Sequence, residues 1–276
     1  MVRGVRKMKT LNGIPILGCG TFPLKGEEAY RTVRTAIDLG IRHIDTAQMY
    51  GNEADVGRAL RDCGVPREDL YVVTKVDPGN LSADRFAASV NRSIDDLGGP
   101  PDLLLIHWPP AAEEFDGAVE RLVLEMQKGM TRHIGVSNFT PNMMRRAYER
   151  AGGKIINNQV EFHPLLDQSA LLAEARKLGV VLSAYSPLGR GAALKPDAIQ
   201  EIARRIGRPP SEVVLRWITQ QDVVAMPMTT KRENALSNLA SLEFELSPGD
   251  MAAISRIGRP EGRLINPGWM AGRWSE

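Results

Sequence analysis

The feature that most constrains the fold is a regular alternation of short apolar, β-rich runs with segments of helical periodicity. Seven β-rich runs lie at residues 42–47, 70–76, 102–108, 132–138, 156–162, 180–186 and 223–228. Apolar residues recur at three- and four-residue spacing in segments 27–39, 53–62, 82–97, 117–129, 141–151, 168–178 and 211–221. This alternation predicts a parallel sheet, because parallel neighbours need a crossover helix.

An eighth β-rich run, residues 16–22, precedes the first helical segment. Eight β/α units in 276 residues predict an α/β fold of the (β/α)8 TIM barrel type rather than an open, doubly wound sheet. The run Gly18-Cys19-Gly20 lacks the third glycine of a dinucleotide fingerprint, which also disfavours the open sheet. We therefore expect residues 1–276 to form a single barrel domain.

The two ends of the chain lie outside this alternation. The stretch "KMKTLNGIPIL" predicts an N-terminal β-hairpin that caps the bottom of the barrel, with Asn12-Gly13 at its turn. The last residues, "GRPEGRLINPGWMAGRWSE", have no period and are rich in Gly, Pro and Arg, so we expect a C-terminal loop over the barrel mouth. Pro196 and Asp197 should open an extra helix that runs to about residue 206.

Composition excludes several classes of partner. The 35 basic and 33 acidic side chains give a net charge of +2, which indicates neither nucleic acid nor an anionic membrane. No apolar run reaches the roughly 18 residues that a membrane span needs, and the basic start is followed by "TLNGIPILGCG", which is not an export signal. We expect a cytoplasmic protein. The two cysteines and four histidines form no metal-binding motif, so no metal is expected.

Polar residues stand where four predicted strands end. Asp45, Lys75, His107 and Gln159 each follow an apolar run. In (β/α)8 barrels the carboxyl ends of the strands carry the active site, so these side chains should meet at the mouth. His43, two residues before Asp45, should lie deeper on the same strand face as a core histidine.

Tyr50 changes the interpretation of these residues, which singly could be core groups or a structural ion pair. A phenol has a pKa of about 10, and a neighbouring ammonium such as that of Lys75 makes it more acidic. Asp45 would hold the ammonium, and a neutral His107 would orient a substrate oxygen. This set suits protonation of a carbonyl oxygen. Since no nucleophile motif is present, hydride from a nicotinamide is the fitting partner reaction.

Six motifs resemble those of the aldo-keto reductase family, in the family's order and over nearly the whole chain. They are "IRHIDTAQMYGNEADVGRAL", "VTKV", "LLLIHWP", "RHIGVSNF", "NQVEFHP" and "AYSPLGRG". The resemblance implies that Asp45, Tyr50, Lys75 and His107 are the catalytic tetrad, with Tyr50 as general acid. It implies an NAD(P)H-dependent oxidoreductase that reduces aldehydes or ketones to alcohols by hydride transfer from nicotinamide C4.

The same resemblance implies where the cofactor binds. Ser137, Asn138 and Gln159 match the residues that hold the nicotinamide carboxamide, and Tyr185 matches the aromatic residue that stacks on the ring. The residues expected to border the nicotinamide and the pyrophosphate are Thr21, Ser186, Leu188 and Gly189.

The chain departs from the family pattern at the 2′-phosphate site, in the stretch "MPMTTKRENALSN". Met228 stands where the family has a lysine, Asn234 where it has an arginine, and Ser237 where it has a glutamate, whereas Asn238 is kept. Replacement contacts are available from Thr229, Thr230, Lys231 and Arg232. Residues 231–232 could equally begin a solvated helix. We expect NADP(H) as the usual cofactor and NAD(H) as a second one.

The resemblance implies a small carbonyl compound as the substrate, and the motifs leave its identity open. Phe22, Met49 and Trp108 should line an apolar opening above Tyr50, while Trp269 and Met270 in the tail either extend this wall or only pack at the rim. The segment after Trp108 is short, which leaves room for a sugar-derived dicarbonyl or a bulky ketone. The alternative function is a cofactor-binding regulatory or sensor protein with little turnover.

Overall fold

Eight parallel strands form a nearly closed barrel, as the alternation predicts. The computed structural model describes residues 8–275. The barrel strands hydrogen-bond in chain order from β3 to β10. Their bounds are β3 Cys19–Gly20, β4 His43–Asp45, β5 Tyr71–Val76, β6 Leu103–Ile106, β7 His133–Ser137, β8 Ile155–Glu161, β9 Val181–Tyr185 and β10 Val223–Met226.

The barrel closes between its first and last strands. Leu17 forms a parallel bridge with Ala225, whose carbonyl accepts a hydrogen bond from the Gly18 N–H at 2.9 Å. The Gly20 N–H donates to the Pro227 carbonyl at 3.1 Å. These bonds leave no long open sheet edge in the described barrel.

Helices cover the outside of the barrel. Their bounds are α1 Gly26–Asp38, α2 Glu53–Asp62, α3 Phe86–Leu97, α4 Phe115–Gln127, α5 Pro141–Arg150, α6 Ser169–Leu178, α7 Asp197–Ile206, α8 Pro210–Thr219, α9 Arg232–Ala240 and α10 Pro248–Ser255. The seven helices predicted from periodicity and the extra helix in the seventh crossover are confirmed within a few residues. Helix α10, which is capped by the Ser247 side chain, was not predicted because its eight residues show almost no apolar stripe.

Alternating strand residues fill the barrel interior. Tyr71 and Val73 of β5 and Leu103 and Leu105 of β6 point inward and pack together, whereas Val72 faces the helices. His43 is also inside, with its Nδ1 atom 3.1 Å from the Pro15 carbonyl. Its assignment to the core rather than to the active site is consistent with this position. The interior below the mouth is therefore packed.

The N-terminal hairpin closes the bottom of the barrel. Strands β1 (Thr10–Leu11) and β2 (Ile14–Pro15) pair antiparallel through Asn12 and Gly13, whose φ angles of 48° and 84° suit a type I′ turn. Asn12 Nδ2 donates to the Gly179 carbonyl at 3.0 Å, just before β9 begins. Lys9 Nζ pairs with Asp222 Oδ1 at 2.6 Å, just before β10 begins. The predicted hairpin cap is thus confirmed.

The C-terminal tail lies over the opposite end, the mouth. Short turns of 3-10 helix occur at Pro260–Gly262, Gly268–Met270 and Arg273–Ser275. The Trp269 ring packs edge-on against Trp108, with centroids 4.8 Å apart. None of the helices among residues 8–275 is long and apolar enough to cross a membrane.

Candidate active site

Four predicted side chains meet at the carboxyl ends of β4, β5 and β6. Lys75 Nζ donates to Asp45 Oδ1 at 2.6 Å, to the Thr46 carbonyl at 2.9 Å and to the Tyr50 hydroxyl at 3.2 Å. The rings of Tyr50 and His107 lie edge to face, with centroids 5.5 Å apart. The structure therefore brings together the tetrad that the sequence predicts.

A turn of 3-10 helix, Gln48–Tyr50, presents the tyrosine. Gln48 holds this turn to the barrel: its Nε2 donates to the Ser89 carbonyl at 3.1 Å and its Oε1 accepts from the Asp77 N–H at 2.9 Å. Asn52 fixes the other side, because it accepts from Thr46 Oγ1 at 2.6 Å and donates to the Leu24 carbonyl at 2.8 Å.

Sequence reasoning missed these supporting residues. Gln48 and Asn52 lie outside the strand ends, and most of their polar partners come from segments far along the chain. The only local signal is a pair of amide side chains flanking Tyr50 in "DTAQMYGNE".

The pKa of Tyr50 lies above the ordinary value of a phenol. Burial raises this pKa, while the Lys75 ammonium lowers it by attraction and by its hydrogen bond. Burial dominates, so the expectation of a net more acidic phenol is wrong for the free protein, although the lysine acts in the predicted direction. Tyr50 consequently keeps its proton at neutral pH.

His107 and Lys75 have the charge states that the sequence predicts. Burial lowers the pKa of His107 well below its usual value, and the Lys75 charge lowers it further, so the imidazole is neutral. For Lys75, burial lowers the pKa, but the attraction of Asp45 and Tyr50 outweighs this effect and the pKa is raised. The site therefore combines a protonated phenol, an ammonium and a neutral imidazole.

The residues expected to bind the nicotinamide carboxamide lie next to the tetrad. Gln159 Nε2 donates to Asp45 Oδ2 at 2.6 Å, and its Oε1 accepts no hydrogen bond from the described residues. Ser137 Oγ donates to the Gln159 carbonyl at 2.8 Å. Asn138 Nδ2 bonds to the His107 carbonyl and to Ser137 Oγ, and its Oδ1 accepts from the Tyr185 hydroxyl at 2.6 Å. Donors and acceptors that suit a carboxamide thus lie beside the tetrad.

The residues expected around the nicotinamide and the pyrophosphate occupy the same rim. Tyr185 ends β9 with a half-buried ring, and Ser186, Leu188 and Gly189 follow in the next loop. Thr21 is fully buried, and its hydroxyl donates to the Asp45 carbonyl at 2.9 Å. That bond ties the loop after β3 to β4.

The predicted phosphate-binding segment runs from β10 into α9. Met228 and Thr230 are exposed, and Thr229 Oγ1 accepts from the Lys231 N–H and from Asn234 Nδ2. Lys231 is the N-cap of α9, Arg232 is its first residue, and both are exposed. Asn238 is buried on the same helix. Two cations thus stand at a helix N-terminus, where an anion is favoured.

Apolar side chains flank the tyrosine at the mouth. Phe22 packs against Tyr50 at 5.1 Å between centroids and is 54% exposed, and Met49 is 46% exposed. Trp108 is buried beneath Trp269, which is 53% exposed. Met270 is fully buried, so it contributes nothing to the open wall.

No metal site competes with this arrangement among residues 8–275, and the thiol of Cys19 is suppressed as a nucleophile. Their His, Cys, Asp and Glu side chains form no group of three that could hold a metal ion. Burial and the Asp45 charge raise the pKa of the Cys19 thiol to about 12, so the thiolate is suppressed at neutral pH.

Comparisons with known proteins agree with the site. The model of the Aldo/keto reductase family matches residues 16–259. Methylglyoxal reductase DkgB from Escherichia coli O157:H7 is 38% identical over 265 residues, which cover 95% of this chain and 99% of that protein. A crystal structure provisionally named 2,5-diketo-D-gluconic acid reductase B superposes with a TM-score of 0.92 at 40% identity, covering 96% of this chain and 95% of its own.

A mutant of Gox0644 in complex with NADPH superposes with a TM-score of 0.86 at 31% identity, covering 92% and 93% of the two chains. Fold, site and matches together define the class of protein, an NAD(P)H-dependent oxidoreductase that reduces carbonyl groups. Within that class, the chain belongs to the aldo/keto reductase family.

Proposed function

We propose that the protein reduces small aldehydes or ketones to alcohols with Tyr50 as the general acid. The observation that carries this proposal is the Lys75 ammonium, which is completely buried and lies 2.6 Å from Asp45 Oδ1 and 3.2 Å from the Tyr50 hydroxyl. A buried cation under a phenol serves a reaction in which the phenol gives up its proton.

The chain's own residues divide the proton-transfer step among them. Tyr50 donates its proton to the carbonyl oxygen, and Lys75 stabilises the negative charge that then develops on the phenol oxygen. Asp45 holds the ammonium and compensates for its burial. Neutral His107, next to the Tyr50 ring, orients the carbonyl oxygen by hydrogen bonding. A nicotinamide held beside the tetrad by Ser137, Asn138 and Gln159 would supply the hydride for the carbonyl carbon.

We propose NADP(H) as the usual cofactor and NAD(H) as a second one. Gln159 Oε1, which is free of protein partners among the described residues, can accept from a carboxamide NH2, while Ser137 and Asn138 lie beside it. Lys231 and Arg232 supply positive charge for a 2′-phosphate at the N-terminus of α9. The family's lysine and arginine are absent at Met228 and Asn234, which weakens the preference.

We propose a small α-dicarbonyl such as methylglyoxal as the substrate. The chain is similar over nearly its full length to a protein named methylglyoxal reductase. The exposed Phe22 and Met49 beside Tyr50 would pack against the carbon skeleton. Trp269 of the tail packs against Trp108, whereas Phe22 packs against Tyr50, so we expect the tail to meet only a larger substituent.

Replacing Tyr50 by phenylalanine tests the assignment of the acid. The variant should bind NADPH with an unchanged Kd, and its kcat with methylglyoxal should fall by about 10²- to 10⁴-fold, the range for loss of a general acid. Tyr148→Phe, which removes a hydroxyl on α5 outside the barrel, is the matched control. A near-normal kcat for Tyr50→Phe would rule out the role.

The alternative is a cofactor-binding sensor or regulatory protein of the same fold. A panel of aldehydes, diketones and keto acids with NADPH separates the two functions. Binding of NADPH without its consumption by any carbonyl compound would favour the sensor. The complete tetrad supports the enzyme.

A further inference from the structure

Glu161, the last residue of β8, is a fully buried carboxylate that takes no direct part in the tetrad. Its Oε1 accepts from the Leu264 N–H at 2.7 Å and lies 2.8 Å from His163 Nε2. Its Oε2 accepts from the Ile265 N–H at 3.0 Å and lies 3.8 Å from the Arg263 guanidinium. Three consecutive tail residues therefore converge on one side chain.

The electrostatics keep this carboxylate ionised. Burial alone would raise the pKa of Glu161, but hydrogen bonds from His163 and from the Leu264 and Ile265 N–H groups outweigh it, and the pKa is lowered. A hydrogen bond from an N–H group to an ionised carboxylate is stronger than one to a neutral acceptor. Replacing the carboxylate by a neutral group therefore removes more stabilisation than the same change would at a neutral pair.

Arg263 also connects the tail to the aromatic rings at the mouth. The Arg263 guanidinium lies 3.6 Å from the centroid of the Trp274 ring, whose Nε1 donates to Asn266 Oδ1 at 2.9 Å. The Trp108 ring packs edge-on against two tail rings, with its centroid 4.8 Å from that of Trp269 and 6.3 Å from that of Trp274. We name residues 263–274 the tail segment.

We propose that Glu161 is a positioning residue that holds the tail segment against Trp108 and so builds the outer wall of the substrate mouth. This inference rests on the proposed carbonyl reductase function. The wall it builds is aromatic, and Trp269 is 53% exposed there, so it serves carbonyl compounds with an aromatic or bulky apolar substituent. A substrate as small as methylglyoxal does not need it.

Methylglyoxal and phenylglyoxal form a matched pair of substrates, because they share the dicarbonyl group and differ in a methyl against a phenyl substituent. In Glu161→Gln the amide keeps the side-chain volume but replaces one acceptor by a donor, which opposes a backbone N–H or His163. We expect the KM for phenylglyoxal to rise about tenfold with kcat nearly unchanged. Both constants for methylglyoxal and the Kd for NADPH should stay within about twofold.

Two variants serve as controls. Glu125→Gln makes the same change in another buried carboxylate, which pairs with Lys128 at 2.8 Å on α4, away from the tail. It should leave both substrates unaffected. Trp269→Ala removes part of the wall while leaving the Glu161 bonds in place, and should reproduce the selective rise in the KM for phenylglyoxal.

Two readouts are independent of turnover. Trypsin should cut after Arg263, whose side chain is only 15% exposed, faster in Glu161→Gln than in the wild type or in Trp269→Ala. In the wild-type protein the amides of Leu264 and Ile265 should be protected from hydrogen exchange. This second measurement does not depend on the folding of any variant.

The outcomes separate the two levels of the proposal. If the wild type reduces neither dicarbonyl, the proposed function fails, whereas exchange and proteolysis still decide whether Glu161 holds the tail. Equal changes in the KM for both substrates, or an unchanged KM for phenylglyoxal, would overturn the positioning role. Leu264 and Ile265 amides that exchange at the rate of an unprotected chain would overturn it as well.

Discussion

Replacing Lys75 by methionine removes the ammonium on which the proposed chemistry depends while keeping a side chain of similar length. In the wild type this group is completely buried, with hydrogen bonds to Asp45, Tyr50 and the Thr46 carbonyl. The variant therefore tests whether a cation under the phenol lowers the barrier to proton transfer.

The size of the effect follows from the distances. At 3.2 Å and an effective dielectric constant of about 20, one ammonium stabilises a full negative charge on the Tyr50 oxygen by about 5 kcal/mol. The Asp45 carboxylate, 2.6 Å from the ammonium, remains in the variant, so its repulsion of the developing charge does not change and the whole ammonium contribution is lost. A loss of about 5 kcal/mol corresponds to a fall in kcat of about 10³- to 10⁴-fold.

The variant should also be less stable, since it leaves the Asp45 carboxylate buried without its cation and with a hydrogen bond from the neutral Gln159 amide. Breaking one side of a buried ion pair costs about 3 to 5 kcal/mol in the free energy of unfolding. The double variant with Asp45→Asn removes both charges and should recover part of that loss. Its kcat should stay low, because the cation is still missing.

The assay is kcat for methylglyoxal reduction with saturating NADPH, measured at a temperature where urea titration shows the variant fully folded. Lys128→Met, which removes a partly exposed lysine paired with the buried Glu125, controls for the loss of a lysine. A folded Lys75→Met protein with kcat within about threefold of the wild type would refute the reasoning, because the distance between Lys75 Nζ and the Tyr50 oxygen predicts a much larger fall in kcat.

Two further predictions concern pH and cofactor choice. Burial raises the pKa of Tyr50 more than Lys75 lowers it, and His107 stays neutral. We therefore expect kcat/KM for reduction to be flat from about pH 6 to about pH 9 and to fall only above that, while the rate of alcohol oxidation rises with pH. A reduction rate that already declines near neutral pH would contradict this prediction. Lys231→Ala and Arg232→Ala should raise the Kd for NADPH several-fold and leave that for NADH unchanged, as measured by quenching of tryptophan fluorescence; a clear preference of the wild type for NADH would overturn the proposed cofactor.

The fold was predictable because its signals are local and repeated. Each barrel strand is a short apolar run, and each crossover helix has its own apolar stripe. A wrong assignment in one β/α unit therefore does not affect the assignment of the next. Three members of the tetrad were indicated by their position at the ends of predicted strands. Singly they could have been core groups or an ion pair, so the assignment of all four rested on their combination with Tyr50 and on the resemblance of the motifs to the family. The Asn12-Gly13 turn required positive φ at both residues, which the pair supplies.

The rest depends on contacts between distant segments. The expected net direction of the Tyr50 pKa shift was wrong, because burial is a property of the assembled mouth, which the spacing of residues does not reveal. Glu161 stands only two residues after Gln159, yet its partners lie about a hundred positions away in the tail. Nothing in the aperiodic tail sequence indicates which of its N–H groups would find an acceptor.

The two ends of the described chain leave the barrel on opposite faces. The hairpin that includes Thr10 sits where β9 and β10 begin, and the tail segment that includes Trp269 sits where β6 and β8 end. The hairpin therefore lies at the closed end of the barrel. A fusion partner attached to the tail segment would lie at the mouth through which substrate enters, and would change the substrate selectivity of the protein.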